Sequence, residues 1–189
     1  MSKINFYYGP MNASKTVQAQ ATAYNYLENG MKPLLVKPMR AGGEKDTLES
    51  RPGLSLKCVT IEDLMETMTD IDIRGYDVVI VDSVQFLSEI HVKKLIYICD
   101  ELNIPIVCYG LRTDSMGNLF EGSAAIFACA DEIHEIKTIC WCGKRAIFTA
   151  CIDEDGNFVD ASKVNMEDGE YTYKSLCRKH YNHKMISKY

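Results

Sequence analysis

Residues 4 to 16 read Ile4-Asn5-Phe6-Tyr7-Tyr8-Gly9-Pro10-Met11-Asn12-Ala13-Ser14-Lys15-Thr16. Ile4–Tyr8 is a short β-rich run, and Val17 to Leu27 behind it is helix-compatible. Between them Gly9 to Thr16 follows the pattern G-x-x-x-x-G-K-[ST], except that Ser14 stands at the second glycine. In such a loop the backbone N–H groups wrap nucleotide phosphates, the Lys reaches the outer phosphates and the hydroxyl holds Mg²⁺. A strand, a loop and a helix start are what an anion site needs, because the first turn offers unpaired N–H groups and a positive dipole end. Gly9, Met11, Asn12, Ala13, Ser14, Lys15 and Thr16 are therefore candidate nucleotide-binding residues.

Outward from this loop, short apolar runs alternate with helical patterns. Strands are expected at 4–8, 33–37, 78–82, 104–109 and, more weakly, 132–136, with helices at 16–29, 61–69, 88–102 and 123–129. Continuously apolar strands separated by helices imply an α/β fold, with a parallel sheet covered on both faces. Ligands bind such sheets at the carboxyl ends of their strands, so the loop and the acidic end of Tyr76-Asp77-Val78-Val79-Ile80-Val81-Asp82 should sit there on neighbouring strands. An Asp closing such a strand helps to hold Mg²⁺ beside the loop Thr, which makes Asp82 a candidate ligand. Residues 39 to 57 are polar and glycine-bearing and read as a mobile loop.

The 189 residues suit one domain with an appendage. A 47% hydrophobic and 25% charged composition is that of an ordinary soluble globular protein, and the net charge of −5 argues against a broad nucleic-acid surface. No apolar run approaches membrane-span length and Met1-Ser2-Lys3 leads into a strand rather than a signal peptide, so a cytoplasmic protein is expected. Eight cysteines in that compartment point to metal ligands or buried thiols rather than disulfides.

The composition changes after residue 137, which divides the chain into an α/β unit, 1–137, and a small β unit, 138–189. Asp153-Glu154-Asp155-Gly156-Asn157 is a hairpin turn signal. Cys140-Trp141-Cys142-Gly143 and Cys177-Arg178-Lys179-His180 supply two close ligand pairs separated by 34 residues, a pattern suited to tetrahedral structural zinc. Two thiol pairs without metal are the alternative. His183 is a weaker candidate than His180. Cys58, Cys99, Cys108, Cys129 and Cys151 lie on or beside apolar segments and are expected in the core.

In order, the motifs are Gly9-Pro10-Met11 with Lys15-Thr16, then Val81-Asp82 with Gln85-Phe86-Leu87. Cys108-Tyr109-Gly110-Leu111-Arg112-Thr113-Asp114 follows, then Leu119-Phe120-x-Gly122-Ser123, the C-x-C-Gly, and Cys177-Arg178-x-His180-Tyr181. From Phe6 to Tyr181 the chain closely resembles the type II thymidine kinases, the zinc-containing tetrameric enzymes of bacteria, phages and animal cytosol. The resemblance implies ATP on the loop, Mg²⁺ at Thr16 and Asp82, structural Zn²⁺ and a homotetramer. It also implies a nucleoside, thymidine or another, caged by a lasso hung on the zinc unit. Gln85 stands with the nucleotide residues and, with Phe120 and Tyr173, would help seat the nucleoside; Arg112, Ser115 and Gly169 complete the implied substrate set.

Several positions depart from that family. Ser83 stands where the family carries the Glu that accepts the proton of the 5′-hydroxyl. A neutral hydroxyl cannot act as that base, and a positioned base is worth about 10²–10⁴ in rate. Ser115 replaces a Phe of the nucleobase pocket, and Ala41 replaces the acid of K-P-x-x-D. Asp168 replaces the first of two lasso glycines. Two functions follow: a thymidine kinase impaired at Ser83, or a catalytically inactive homologue that binds nucleotide or nucleoside, or assembles with partners. An unrelated phosphate-loop ATPase or a zinc-ribbon nucleic-acid binder fits neither the acidic charge nor the full-length match.

Overall fold

In the computed structural model, residues 2–161 and 171–187 are described. In chain order the elements are β1 (Ile4–Tyr8), α1 (Lys15–Glu28), β2 (Pro33–Lys37), β3 (Thr47–Glu49), β4 (Ser55–Lys57), β5 (Val59–Thr60), α2 (Ile61–Glu66) and α3 (Asp70–Ile73). Then come β6 (Val78–Val81), α4 (Glu89–Asp100), β7 (Ile106–Gly110), α5 (Glu121–Cys129) and β8 (Glu132–Glu135). The chain ends in β9 (Thr138–Ile139), β10 (Arg145–Ala146), β11 (Phe148–Ile152), β12 (Phe158–Val159), β13 (Thr172–Leu176) and α6 (Arg178–Asn182).

The main sheet has the order β5-β2-β6-β7-β1-β8, with every pairing parallel. Side chains alternate across a strand, and here both faces are dry. Ile4, Phe6, Leu34, Val36, Val79, Val81, Ile106 and Cys108 pack on one side with α2, α4 and α5. Leu35, Val78, Ile80, Val107 and Tyr109 pack on the other, against Ala19 and Ala23 of α1. Burial on both faces is why the strands read as unbroken apolar runs.

The Gly9–Thr16 loop and Asp82 do lie at the carboxyl ends of their strands, but those strands are not neighbours: β7 runs between β1 and β6. The stretch from 39 to 57 is more ordered than a featureless loop, because it holds the β3–β4 hairpin, in which Leu48 is buried. Its anchor is Lys37, 3% exposed, whose ammonium donates to the carbonyls of Gly42 (3.0 Å), Glu44 (2.5 Å) and Thr47 (2.8 Å). All three donors of the buried cation are thereby used, which a charge needs when it leaves water. Polarity that reads as a loop in sequence here closes around a lysine.

From residue 138 the chain makes the two-stranded β9–β10 sheet and the β12-β11-β13 sheet, over their own cluster of Cys140, Ala146, Ala150, Ile152, Leu176 and Cys177. The Asp153–Asn157 turn forms, with Asp153 accepting from the Asn157 N–H at 2.7 Å and Gly156 at φ 83°. No helix among the described residues is long and apolar enough to cross a membrane.

Candidate active site and metal centre

The loop after β1 starts at Gly9, whose N–H donates to the Gly110 carbonyl at 3.2 Å. A Cβ at Gly9 would lie 2.7 Å from the Ile136 carbonyl oxygen, so only glycine fits there. Ala13 is buried against the α1 side of the sheet. Ser14 caps α1 at φ 57°, in the left-handed region that glycine adopts without penalty, and makes no side-chain cap bond. The first turn of α1 carries no acidic residue, so nothing there competes with an anion for its N–H groups.

Lys15 donates to the Pro10 carbonyl at 2.7 Å, and burial lowers its pKa to about 8, against the pull of Asp82. Thr16 Oγ1, in the first turn of α1, donates to Asp82 Oδ2 just past the end of β6 at 2.8 Å. Burial pushes the Asp82 carboxyl up, opposed by the Thr16 hydroxyl, the Ser83 N–H, Lys15 and Lys37. The Asp82 carboxyl and the Thr16 hydroxyl it touches offer oxygen donors of the kind a hard cation such as Mg²⁺ takes. Ser83 follows at φ 59°, again left-handed.

These groups line one side of a cleft of about 1100 Å³. Met11, Asn12, Ser14, Lys15, Thr16, Asp82, Ser83 and Gln85 line it, as do Ser115, Phe120 and Tyr173. Gln85 is fixed by accepting from the Leu111 N–H at 3.0 Å, and the Phe120 ring meets Phe86 edge-on at 5.9 Å. Ser115 is buried and employed: its hydroxyl accepts from the Ala161 N–H at 3.1 Å, and its carbonyl accepts from the Tyr181 hydroxyl at 2.7 Å. Arg112 does not line this cleft. Its guanidinium donates to the Ile147 carbonyl at 3.2 Å and lies over the Phe148 ring, joining the β7 end to the β10–β11 turn. Gly169 and Asp168 fall outside the described residues.

Sequence patterns missed several contributors. Arg51 lines the cleft and pairs with the Asn12 side chain. Thr149 and Ser175 hold Met11, while Asn12 donates to the Tyr173 carbonyl at 3.1 Å. A Thr and a Ser in β-strands carry no motif, and only the cross-strand register places them.

In the C-terminal unit, the ligand atoms of Cys140, Cys142, Cys177 and His180 all lie within 4.8 Å of one another. Cys140 Sγ is 3.4 Å from His180 Nδ1, and Cys142 Sγ is 4.0 Å from Cys177 Sγ. Tetrahedral zinc with bonds of about 2.0–2.3 Å needs ligand atoms about 3.5–3.8 Å apart, so this constellation fits. A turn closed by Gly143 at φ 79° presents the first pair. Cys177 caps α6 and His180 lies within that helix, three residues on, so both reach the same point. Trp141 stacks on His180 at 4.2 Å and holds its ring. His183 is exposed and outside the cluster. Cys58, Cys99, Cys108 and Cys151 are buried, with burial raising the Cys99 thiol to about 11, whereas Cys129 is only partly covered. Among the described residues the cysteines are free thiols.

A family model described as thymidine kinase matches residues 2–181. Among similar proteins, the thymidine kinase of Rhodopirellula baltica is 38% identical over 96% of this chain and 88% of its own length. That of Legionella pneumophila is 39% identical over 96% and 90%, and that of Shewanella oneidensis 38% over 96% and 97%. Among solved structures, AMPPCP-bound DnaA from Aquifex aeolicus overlays 72% of this chain and 40% of that one, with 17% identity and a TM-score of 0.45. So loose a likeness carries no weight beside the sequence relatives.

Proposed function

The chain belongs to the thymidine kinase family, and from that premise we propose that it transfers the γ-phosphate of ATP to the 5′-hydroxyl of thymidine, slowly because of Ser83. The observation that carries this is the 2.8 Å contact of Thr16 with Asp82 beside Lys15, on the wall of a cleft that Gln85, Phe120 and Tyr173 also line. In this reading residues 1–137 bind the nucleotide and 138–189 form the zinc-held unit that carries the nucleoside lasso.

Lys15 and the α1 N-terminus would hold the phosphates, and Thr16 with Asp82 would hold Mg²⁺, which offsets the charge on the transferring group. Gln85, Phe120 and Tyr173 would orient the nucleoside, and Ser115 would keep the segment leading to the lasso in place. Arg112 acts through its grip on Ile147 rather than by touching substrate. The deprotonation step is the weak one, since Ser83 offers no carboxylate. Positioning and charge neutralisation still favour a loose phosphoryl transition state without a strong base. Ser83 is also the observation that favours a second reading, a homologue that binds ATP and nucleoside without turnover. Homotetramer assembly belongs to the first reading by family membership; a monomer by light scattering would remove that part alone.

The test is a nucleoside panel with ATP·Mg²⁺ on the purified protein, with Ser83→Glu beside it. The expected result is slow, thymidine-selective transfer that the variant raises by about 10²-fold or more, the scale of a general base. Apparent ATP affinity should stay constant, because residue 83 serves the acceptor side. Binding of both substrates with no transfer by either protein would favour the second reading. Fast transfer by the unmodified protein would show that Ser83 costs little.

A further inference from the structure

The antiparallel register of β11 and β13 pairs Thr149 directly with Ser175. Residues opposite one another in such a pair put their side chains on the same face. Here that face meets the phosphate loop, and one hydroxyl takes each end of the same residue's backbone. The Met11 N–H donates to Thr149 Oγ1 at 2.9 Å, and Ser175 Oγ donates to the Met11 carbonyl. One residue further along, the Asn12 side chain donates to the carbonyl of Tyr173, on the same strand as Ser175. Thr149 is 3% exposed, so water cannot easily replace it as a partner. Asn12 at φ 61° and Ser14 at φ 57° are both left-handed; Asn adopts that shape readily, whereas for Ser14, which makes no side-chain cap bond, it is strained and persists only when the surroundings enforce it.

We propose that Thr149 and Ser175 are positioning residues of the nucleotide site: from the C-terminal unit, they hold the Met11 peptide so that the loop keeps the shape in which it receives phosphates. The inference rests on the reading that nucleotide binds this loop. It gives the metal-held unit a role on the nucleotide side of the cleft as well as the nucleoside side. Without the two hydroxyls the strained Ser14 would relax toward an ordinary conformation, and the N–H groups of the loop would diverge.

The test compares Thr149→Val, which keeps shape and removes the hydroxyl, with Thr149→Ser, which restores it, and with Ser175→Ala. Lys174→Ala, on the alternate face of the same strand, is the control. Two quantities are read: the dissociation constant of AMPPCP·Mg²⁺ and the hydrogen exchange of the Met11 amide. Thr149→Val and Ser175→Ala should each weaken AMPPCP by about fivefold, the scale of one hydrogen bond. Thr149→Val should also speed Met11 exchange, while Thr149→Ser and Lys174→Ala remain near the parent. A hydroxyl that merely knits β11 to its neighbours would alter exchange along β11 and β13 and leave Met11 and AMPPCP alone, and that result would overturn the proposal. If the parent itself binds no AMPPCP, the nucleotide reading fails; unchanged Met11 exchange in Thr149→Val would then sink the clamp independently.

Discussion

Lys15 joins the fold to the chemistry through a single ionisation. Burial lowers its pKa from the ordinary 10.5 to about 8, because the ammonium loses water and recovers only the Pro10 carbonyl and the field of Asp82. Between those two values the unfolded chain binds more protons than the folded one, so folding stability rises as pH climbs from about 8 toward 10.5. Below about 8 the full penalty of the buried cation remains. Nucleotide phosphates would favour the charged form, so AMPPCP binding is expected to weaken as pH rises above about 8 and to be accompanied by proton uptake. Calorimetry in buffers of different ionisation enthalpy measures that uptake; Lys15→Met should abolish it. Binding independent of pH from 7 to about 9.5 in the parent protein would contradict this account of Lys15.

At the scale of elements, the start of α5 is seated on the segment that follows β6. A Cβ at Gly122 would come 2.1 Å from the Val84 carbonyl oxygen and 2.7 Å from that of Leu87, both backbone atoms that cannot swing aside. Ordinarily Gly→Ala within a helix stabilises by about 1 kcal/mol. At this position overpacking dominates, and Gly122→Ala should cost about 3 kcal/mol. The same displacement would move Ser83 and Gln85 within the cleft, so the variant should lose nucleoside affinity as well as its denaturation midpoint. A stabilised Gly122→Ala protein would mean that α5 is free to slide. Lys37 shows the converse arrangement, in which one side chain organises the whole β3–β4 region through three carbonyls.

Over the whole molecule, two cores of unequal strength meet at the Gly9–Thr16 loop. The sheet buries large apolar side chains on both faces, whereas the C-terminal cluster is small and built largely from Ala and Cys. A unit so thinly packed is expected to draw folding free energy from a metal held by Cys140, Cys142, Cys177 and His180. One zinc per chain is therefore expected by elemental analysis. Chelation should accelerate hydrogen exchange in β9 to β13 by far more than in β1, β6 or β7. Because Thr149 and Ser175 hold Met11, exchange at the phosphate loop should rise along with the C-terminal unit. Uniform loosening of both cores, or a metal-free protein with native exchange, would count against the structural role of zinc.

The strands at 4–8 and 33–37 were legible to the residue, because period and apolarity are local properties of a strand buried on both faces. The clustering of Cys140, Cys142, Cys177 and His180 was legible too, since both pairs are close in sequence and each forms within a single turn or helix. Other boundaries moved: the helix expected to reach residue 69 ends at Glu66, with α3 starting afresh under a Thr69 cap, and α5 begins at Glu121 rather than Ser123. Sequence also picked out Lys15, Thr16 and Asp82, which the fold brings to one cleft. Tertiary structure alone placed β7 between the strands bearing the loop and Asp82, turned Arg112 away from the cleft, and wrapped residues 42–47 around Lys37. It alone brought Thr149 and Ser175 to Met11, 138 and 164 residues away in the chain. Such contacts depend on register and strand order, which are fixed by the free energy of the whole packed core, and no local pattern records them.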